Sequence, residues 1–275
     1  MLKAWASYKA MTFKTKEVAM CQLCADKSES NHEPIQPGRR TLLKMVGSSP
    51  LWMAGLGAST MMMSARADDA HPIPKPENVI TSDQALERLM KGNARYVNGN
   101  INVNDSYKSA EVALKHGQNP YAVILSCADS RVSPELCFDE GPGDLFVNRI
   151  AGNYVTTDLL GSIEYGTLVL KSPLVMVLGH TECGAIKAAM KAEEENVSFP
   201  GHIQSISSHI GAAVRAAKQQ GGKVSTTDVV KANIKLNVAL LQQSTPIIRQ
   251  LVRENKLKIV GGMYNLEDGT VSVVS

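Results

Sequence analysis

A large excess of charge of either sign is missing from most of this sequence. Its 29 Lys and Arg against 26 Asp and Glu give a formal charge of +3, and that small excess is local. Residues 1–67 hold nine basic and four acidic residues, and the remainder holds 20 and 22. A body without a basic excess is no nucleic-acid binder on electrostatic grounds. Glycine and proline, 21 and 12 of 275 residues, are too few for a low-complexity chain, and 44% hydrophobic with 20% charged residues excludes a disordered or fibrous one. Long apolar runs are scarce. The main candidate, Met45–Met63, is broken by Gly47, Ser48, Ser49, Pro50, Gly55, Gly57, Ser59 and Thr60, which is weakly apolar for a span of ~20 residues. Cysteine is sparse too: Cys127, Cys137 and Cys183 are the three that follow residue 68, and an odd number argues against a full disulfide framework.

What is present divides near residue 67. Eight of the twelve methionines and both tryptophans, Trp5 and Trp52, lie before it. Gly38-Arg39-Arg40-Thr41-Leu42-Leu43-Lys44 leads into the Met45–Met63 stretch, and Ala65-Arg66-Ala67 follows. Paired arginines, an apolar stretch and a small-x-small site are the layout of a cleaved export signal, and the consecutive arginines resemble its twin-arginine form. Residues 1–67 are therefore expected to be removed on export to the periplasm, leaving no membrane span in the mature chain. Cys21 and Cys24 form a C-x-x-C, but it has no second pair and falls within that segment.

A proline-rich connector over residues 68–80 leads into a single domain over 81–275. Thr81-Ser82-Asp83-Gln84 opens a helix to about Asn98. Tyr121–Ser126 and Leu174–Leu178 read as buried strands, with a more polar one over Asp144–Arg149. Helical patterns run over Thr157–Leu170, Ala185–Glu195, Ile203–Gln219 and Thr227–Gln243. Leu257–Met263 and Thr270–Val274 read as a strand and a returning edge strand around Asp268-Gly269. The alternation predicts an α/β fold: a mostly parallel sheet flanked by helices, with an antiparallel C-terminal edge. In such sheets ligands bind beyond the carboxyl ends of the strands. Cys127 follows the first strand, and His180 and Cys183 follow the one ending at Leu178.

Two Cys and one His are zinc ligands in type and number, and three protein donors leave a fourth position free, as catalytic sites require. Asp129 stands two residues from Cys127, and Arg131 can hold it by a charge-assisted pair. These residues are the point at which the sequence resembles a known family. Cys127-Ala128-Asp129-Ser130-Arg131, His180-Thr181-Glu182-Cys183-Gly184-Ala185 and the run Gly143–Asn153 resemble the β-class carbonic anhydrases, over Ser82 to Val274. The resemblance implies a lyase that hydrates CO2 to bicarbonate, with one zinc per subunit on Cys127, His180 and Cys183. It implies that Asp129 pairs with Arg131 in an open state and ligates the metal as a fourth ligand in a closed one. Gln118 matches a substrate hydrogen-bond donor, and Phe146 and Tyr165 match aromatics near the active-site mouth. Members storing a regulatory bicarbonate carry tryptophan where this chain has Ile124, which favours the open subtype. Cys137 reads as a small core residue, and His116, His202 and His209 as surface or packing residues that could also shuttle protons. The resemblance also implies a homodimer or higher even oligomer, with Leu86, Leu89, Met90 and Tyr96 of the first helix as candidate contacts to a neighbour. Two other readings share these residues: a carbonyl sulfide or carbon disulfide hydrolase, and a zinc protein without turnover.

Overall fold

The chain divides into two units, Met1–Ala65 and Arg66–Ser275, and the computed structural model describes residues 74–102, 114–219 and 221–275. The expected export signal, its paired arginines and Cys21–Cys24 lie outside the described residues.

Among the described residues, five strands form one sheet in the order β2-β1-β3-β4-β5. They are β1 (Ala122–Ser126), β2 (Leu145–Arg149), β3 (Leu174–His180), β4 (Lys258–Tyr264) and β5 (Val271–Val273). All neighbours are parallel except β4 and β5, which pair antiparallel with Tyr264 opposite Val271. The helices are α1 (Ser82–Val97), α2 (Pro134–Cys137), α3 (Thr157–Glu164), α4 (Gly184–Glu195), α5 (Ile203–Lys218), α6 (Thr226–Gln243) and α7 (Ile247–Arg253).

The continuous apolar runs are strands because both faces of the sheet are covered. Side chains alternate along a strand, so β1 sends Val123 and Leu125 to one layer and Ala122 and Ile124 to the other. The first layer is roofed by Ile186 and Ala189 of α4, Ile210, Ala213 and Val214 of α5, and Val230, Ile234 and Val238 of α6. The second is roofed by Ala85 and Leu89 of α1 with Cys137 and Phe138. Each fully buried Leu or Ile in these layers contributes roughly 1.5–3 kcal/mol of transfer free energy.

Helix α1 starts at the expected capping box: the Thr81 hydroxyl accepts from Gln84 N, and Gln84 reaches back to Thr81 N. Its apolar face, the candidate contact to a neighbour, also serves the helix's own sheet. Leu89 is fully buried, and Leu86, Met90 and Tyr96 pack against the helix's own sheet. A 3.6-residue stripe fits either role, and within one chain it covers the sheet while Leu86, Met90 and Tyr96 stay only partly buried. Asn93 pins this helix down, donating to Cys137 O and Gly269 O at 2.9 Å each and accepting from Val271 N at 2.8 Å.

Within the connector over residues 68–80, the described part begins at residue 74. Pro76–Asn78 forms a 3-10 turn, Lys75 pairs with Asp144 at 2.5 Å, and Arg88 binds Glu140, Asp144 and Asn78 while stacking over the Tyr121 ring. The expected helix Thr157–Leu170 is α-helical to Glu164 and then widens into a π-type segment, Tyr165–Val169. A Cβ on Gly166 would come within 2.7 Å of Val123 Cγ2, so the widened turn lies directly on β1. Strand β3 runs two residues past Leu178, so His180 ends the strand rather than following it. Among the described residues, no helix is long and apolar enough to cross a membrane.

Candidate metal centre

Two strand ends and the loops that follow them meet at the carboxyl edge of the sheet. Cys127 leaves the end of β1, His180 is the last residue of β3, and Cys183 is the residue before α4. Their ligating atoms all lie within 4.8 Å of one another, and all three residues are buried. The two Sγ atoms are 3.9 Å apart, close to the roughly 3.8 Å edge of a tetrahedron with Zn–S bonds of about 2.3 Å.

The histidine shows which nitrogen is offered. His180 Nδ1 lies 2.8 Å from Thr181 O, a group that can only accept, so Nδ1 carries the proton. Nε2 is then a lone pair, fully buried, with no hydrogen-bond partner. A neutral imidazole oriented by its far nitrogen is the form that binds metal. The thiols are arranged unequally. Cys127 is held well below the ordinary thiol value by the Cys183 S–H and by Gly152 N, which approaches its sulfur to 3.2 Å. Cys183 is pushed up by that same shared proton and by burial. The donor set of two sulfurs and one nitrogen, with an orphaned imidazole lone pair, fits a soft divalent metal.

Beside the cluster stands the expected carboxylate. Asp129 Oδ1 accepts from Arg131 N at 3.0 Å and Nε at 2.9 Å, and Oδ2 accepts from Nη2 at 2.8 Å. This fork holds the Asp129 carboxyl far below the usual carboxylate range. Its Oδ2 lies 3.8 Å from His180 Nε2, against the metal position without filling it. Arg131 Nη2 also reaches Glu182 O at 3.4 Å. Glu182 sits at φ 58°, where non-glycine residues are uncommon, and this turns its carbonyl toward the arginine.

Residues 122–271 match the family model described as "Carbonic anhydrase". A carbonic anhydrase from Mycolicibacterium smegmatis is 38% identical over 192 residues, covering 70% of this chain and 92% of that relative. The chain belongs to the β-class carbonic anhydrases. Among solved structures, the β-carbonic anhydrase CcaA superposes with a TM-score of 0.57 at 27% identity, covering 69% of this chain and 95% of that one. Two tetrameric β-carbonic anhydrases from Sordaria macrospora share the fold at a TM-score of 0.56 and 18% identity, over 70% of this chain and 98% of theirs.

This carbonic anhydrase thus brings together five of the eight expected site residues. The other three lie elsewhere in the same chain. Gln118 precedes β1, at the opposite end from Cys127, in an open hollow of about 500 Å³ lined by Leu114, Lys115, His116, Gly117 and Gly143. Phe146 is paired with Val123, four residues or roughly 13 Å upstream of Cys127. Its ring lies 6.1 Å from that of Tyr165, which is 47% exposed. Of the remaining candidates, Cys137 is buried, its thiol pushed up to about 11. His209 stacks on Tyr154 at 4.5 Å with Nδ1 bonded to Ser205 O. Ile124 is fully buried. Sequence reasoning missed Gly152, Thr181 O and Arg149 as supports of the cluster. The first two act through backbone atoms, which no side-chain motif reveals.

Proposed function

We propose that the chain performs the reversible hydration of CO2 to bicarbonate and a proton, with zinc held by Cys127, His180 and Cys183. The observation that carries this reading is the combination of three protein donors with a carboxylate kept off them by an arginine. A purely structural zinc site closes with four protein donors and needs no such pair. Zinc, when bound, lowers the pKa of water from about 16 to about 7 and so supplies a strong nucleophile near neutral pH.

The chain's own residues do the rest. Asp129, ionised throughout the working pH range, can only accept a hydrogen bond. Placed 3.8 Å from His180 Nε2, it fixes the direction of an O–H beside the cluster and aims that oxygen's lone pair at CO2. Arg131 keeps the carboxylate in that attitude. The burial of Cys127, His180 and Cys183 keeps bulk water from the donors. Stopped-flow CO2 hydration on the zinc-loaded protein tests the reading, with carbonyl sulfide as competing substrate. Turnover of carbonyl sulfide in preference to CO2, or absence of both, would overturn it.

We further propose a homodimer or higher even oligomer in which a second copy supplies Gln118, Phe146 and Tyr165. Within one chain these three do not reach the metal cluster. Tyr165, Leu168 and Val169 leave an apolar strip 47%, 48% and 56% exposed, which an interface would cover. The mass by light scattering at micromolar concentration should be that of two chains or a multiple. A monomer with full activity would defeat the proposal.

Export through the twin-arginine route to the periplasm completes the reading. The cysteines of the described residues are free thiols, and a fold completed before export protects them from an oxidising compartment. Replacing both Arg39 and Arg40 with lysine should trap unprocessed precursor inside the cell. Normal processing of that double variant counts against this route.

A further inference from the structure

We propose that Arg149 is a positioning residue that keeps the Asp129 carboxylate off the metal position by holding the backbone of the Cys127–Val132 loop. The proposal rests on the zinc reading above. Strands β1 and β2 stay laddered beyond their ends: Ile150 N donates to Ser126 O, and Ala128 N to Ile150 O, each at 3.1 Å. The backbone of Arg149, the last residue of β2, is therefore fixed. From that anchor its guanidinium spreads over the neighbouring loop. Nε donates to Cys127 O at 3.0 Å, and Nη2 donates to Asp129 O at 2.7 Å and to Val132 O at 2.8 Å. Three carbonyls spread over six residues are thus gathered by one planar group.

The effect differs from that of Arg131. Arg131 grips the Asp129 side chain, and with 54% of its own side chain exposed it is held mainly by that carboxylate. It sets where the carboxylate points. Arg149 sets where the Asp129 backbone stands, since Asp129 O is shared between Arg149 and Val132 N at 3.1 Å. With that backbone released, the carboxylate has under 4 Å to travel to the donor cluster. None of the atoms Arg149 binds is a candidate metal donor, so its removal leaves the ligand set in place.

The test uses the full chain with Arg149→Ala and Arg149→Lys, each loaded with zinc and, separately, with cobalt(II). Lysine keeps the charge but carries its donors on one nitrogen, and it cannot span three separated carbonyls. Both variants should keep one metal per chain. Hydration at pH 7.5 should fall about tenfold or more, the range for losing an outer support of a metal site. Activity should recover as pH rises, because solvent then competes better with the carboxylate for the remaining position. The cobalt absorption spectrum, which reads the ligand set, should change at pH 7.5 and return to that of the parent in Arg149→Ala with Asp129→Asn. A parental pH profile and spectrum in Arg149→Ala would overturn the proposal. So would a spectral change that persists in the double variant, or metal loss from both single variants. Failure of the parent protein to bind zinc would instead sink the zinc reading itself.

Discussion

Replacing Arg131 with alanine should leave a folded, metal-loaded protein whose CO2 hydration near pH 7.5 falls by about a hundredfold, the upper end for loss of an outer partner. The substitution removes the two side-chain hydrogen bonds of three that Asp129 accepts from Arg131, and leaves its carboxylate 3.8 Å from His180 Nε2. One of the three comes from the Arg131 backbone N–H and survives, but it holds Oδ1 alone. A carboxylate that close to a divalent cation is drawn onto it, even at an effective dielectric of ~20. The position needed by water is then filled. Asp129→Asn examines the other half, because a neutral amide leaves the position open yet orients the attacking oxygen poorly, and activity should fall with metal retained. Stopped-flow hydration with metal analysis on the same samples reads both. Near-normal turnover in Arg131→Ala would show that the pair is not the gate.

Replacing Cys183 with serine should empty the site, with less than about a tenth of an equivalent of zinc remaining and hydration at the uncatalysed rate. A neutral hydroxyl replaces a soft anionic donor. The fold should survive, because Cys183 precedes α4 in an extended conformation with no side-chain cap. Serine is among the preferred residues there and stabilises helix starts by about 1 kcal/mol. Circular dichroism of the metal-free forms should therefore match between parent and variant, with the variant's melting temperature equal or slightly higher, while metal content separates them. A full equivalent of zinc in Cys183→Ser would remove this residue from the ligand set.

The central sheet and its ligands were legible in the sequence for one reason. Strands buried on both faces leave unbroken apolar runs, Tyr121–Ser126 and Leu174–Leu178, and a parallel sheet fixes where their carboxyl ends lie. The metal donors were legible because few residue types bind zinc and three of them stood at those ends. What escaped depends on packing rather than pattern. The π-type turn at Tyr165–Val169 has the same apolar spacing as an ordinary helix, and its widened turn rests on β1 at Gly166. β3 reads as ending at Leu178 because Gly179 interrupts the apolar run. A Cβ there would come within 2.8 Å of Ile234 Cδ1, so the glycine marks the close approach of α6 rather than a strand end. Helix α1 shows a stripe that fits a partner or its own sheet, and only packing shows that Leu89 is buried within the chain. An arginine at a strand end can face solvent or a neighbouring loop, and the letter does not say which.

The three bonds of Asn93 carry a consequence for how the protein is made. Two of them join a helix near residue 93 to backbone groups at Gly269 and Val271, 176 and 178 positions later. At ribosomal speeds of about 5–20 residues per second, those partners appear roughly 10–35 s after the helix does. Throughout that interval the apolar face carrying Ala85 and Leu89 has no complete surface to rest on, because β3 and β4 are also still to come. Closing so long a loop costs little extra at equilibrium, since the entropy grows only with the logarithm of its length. The burden is one of timing. A nascent chain of this protein exposes a sticky amphipathic segment for most of its synthesis, and the C-terminal hairpin that packs on that helix is among the last parts made.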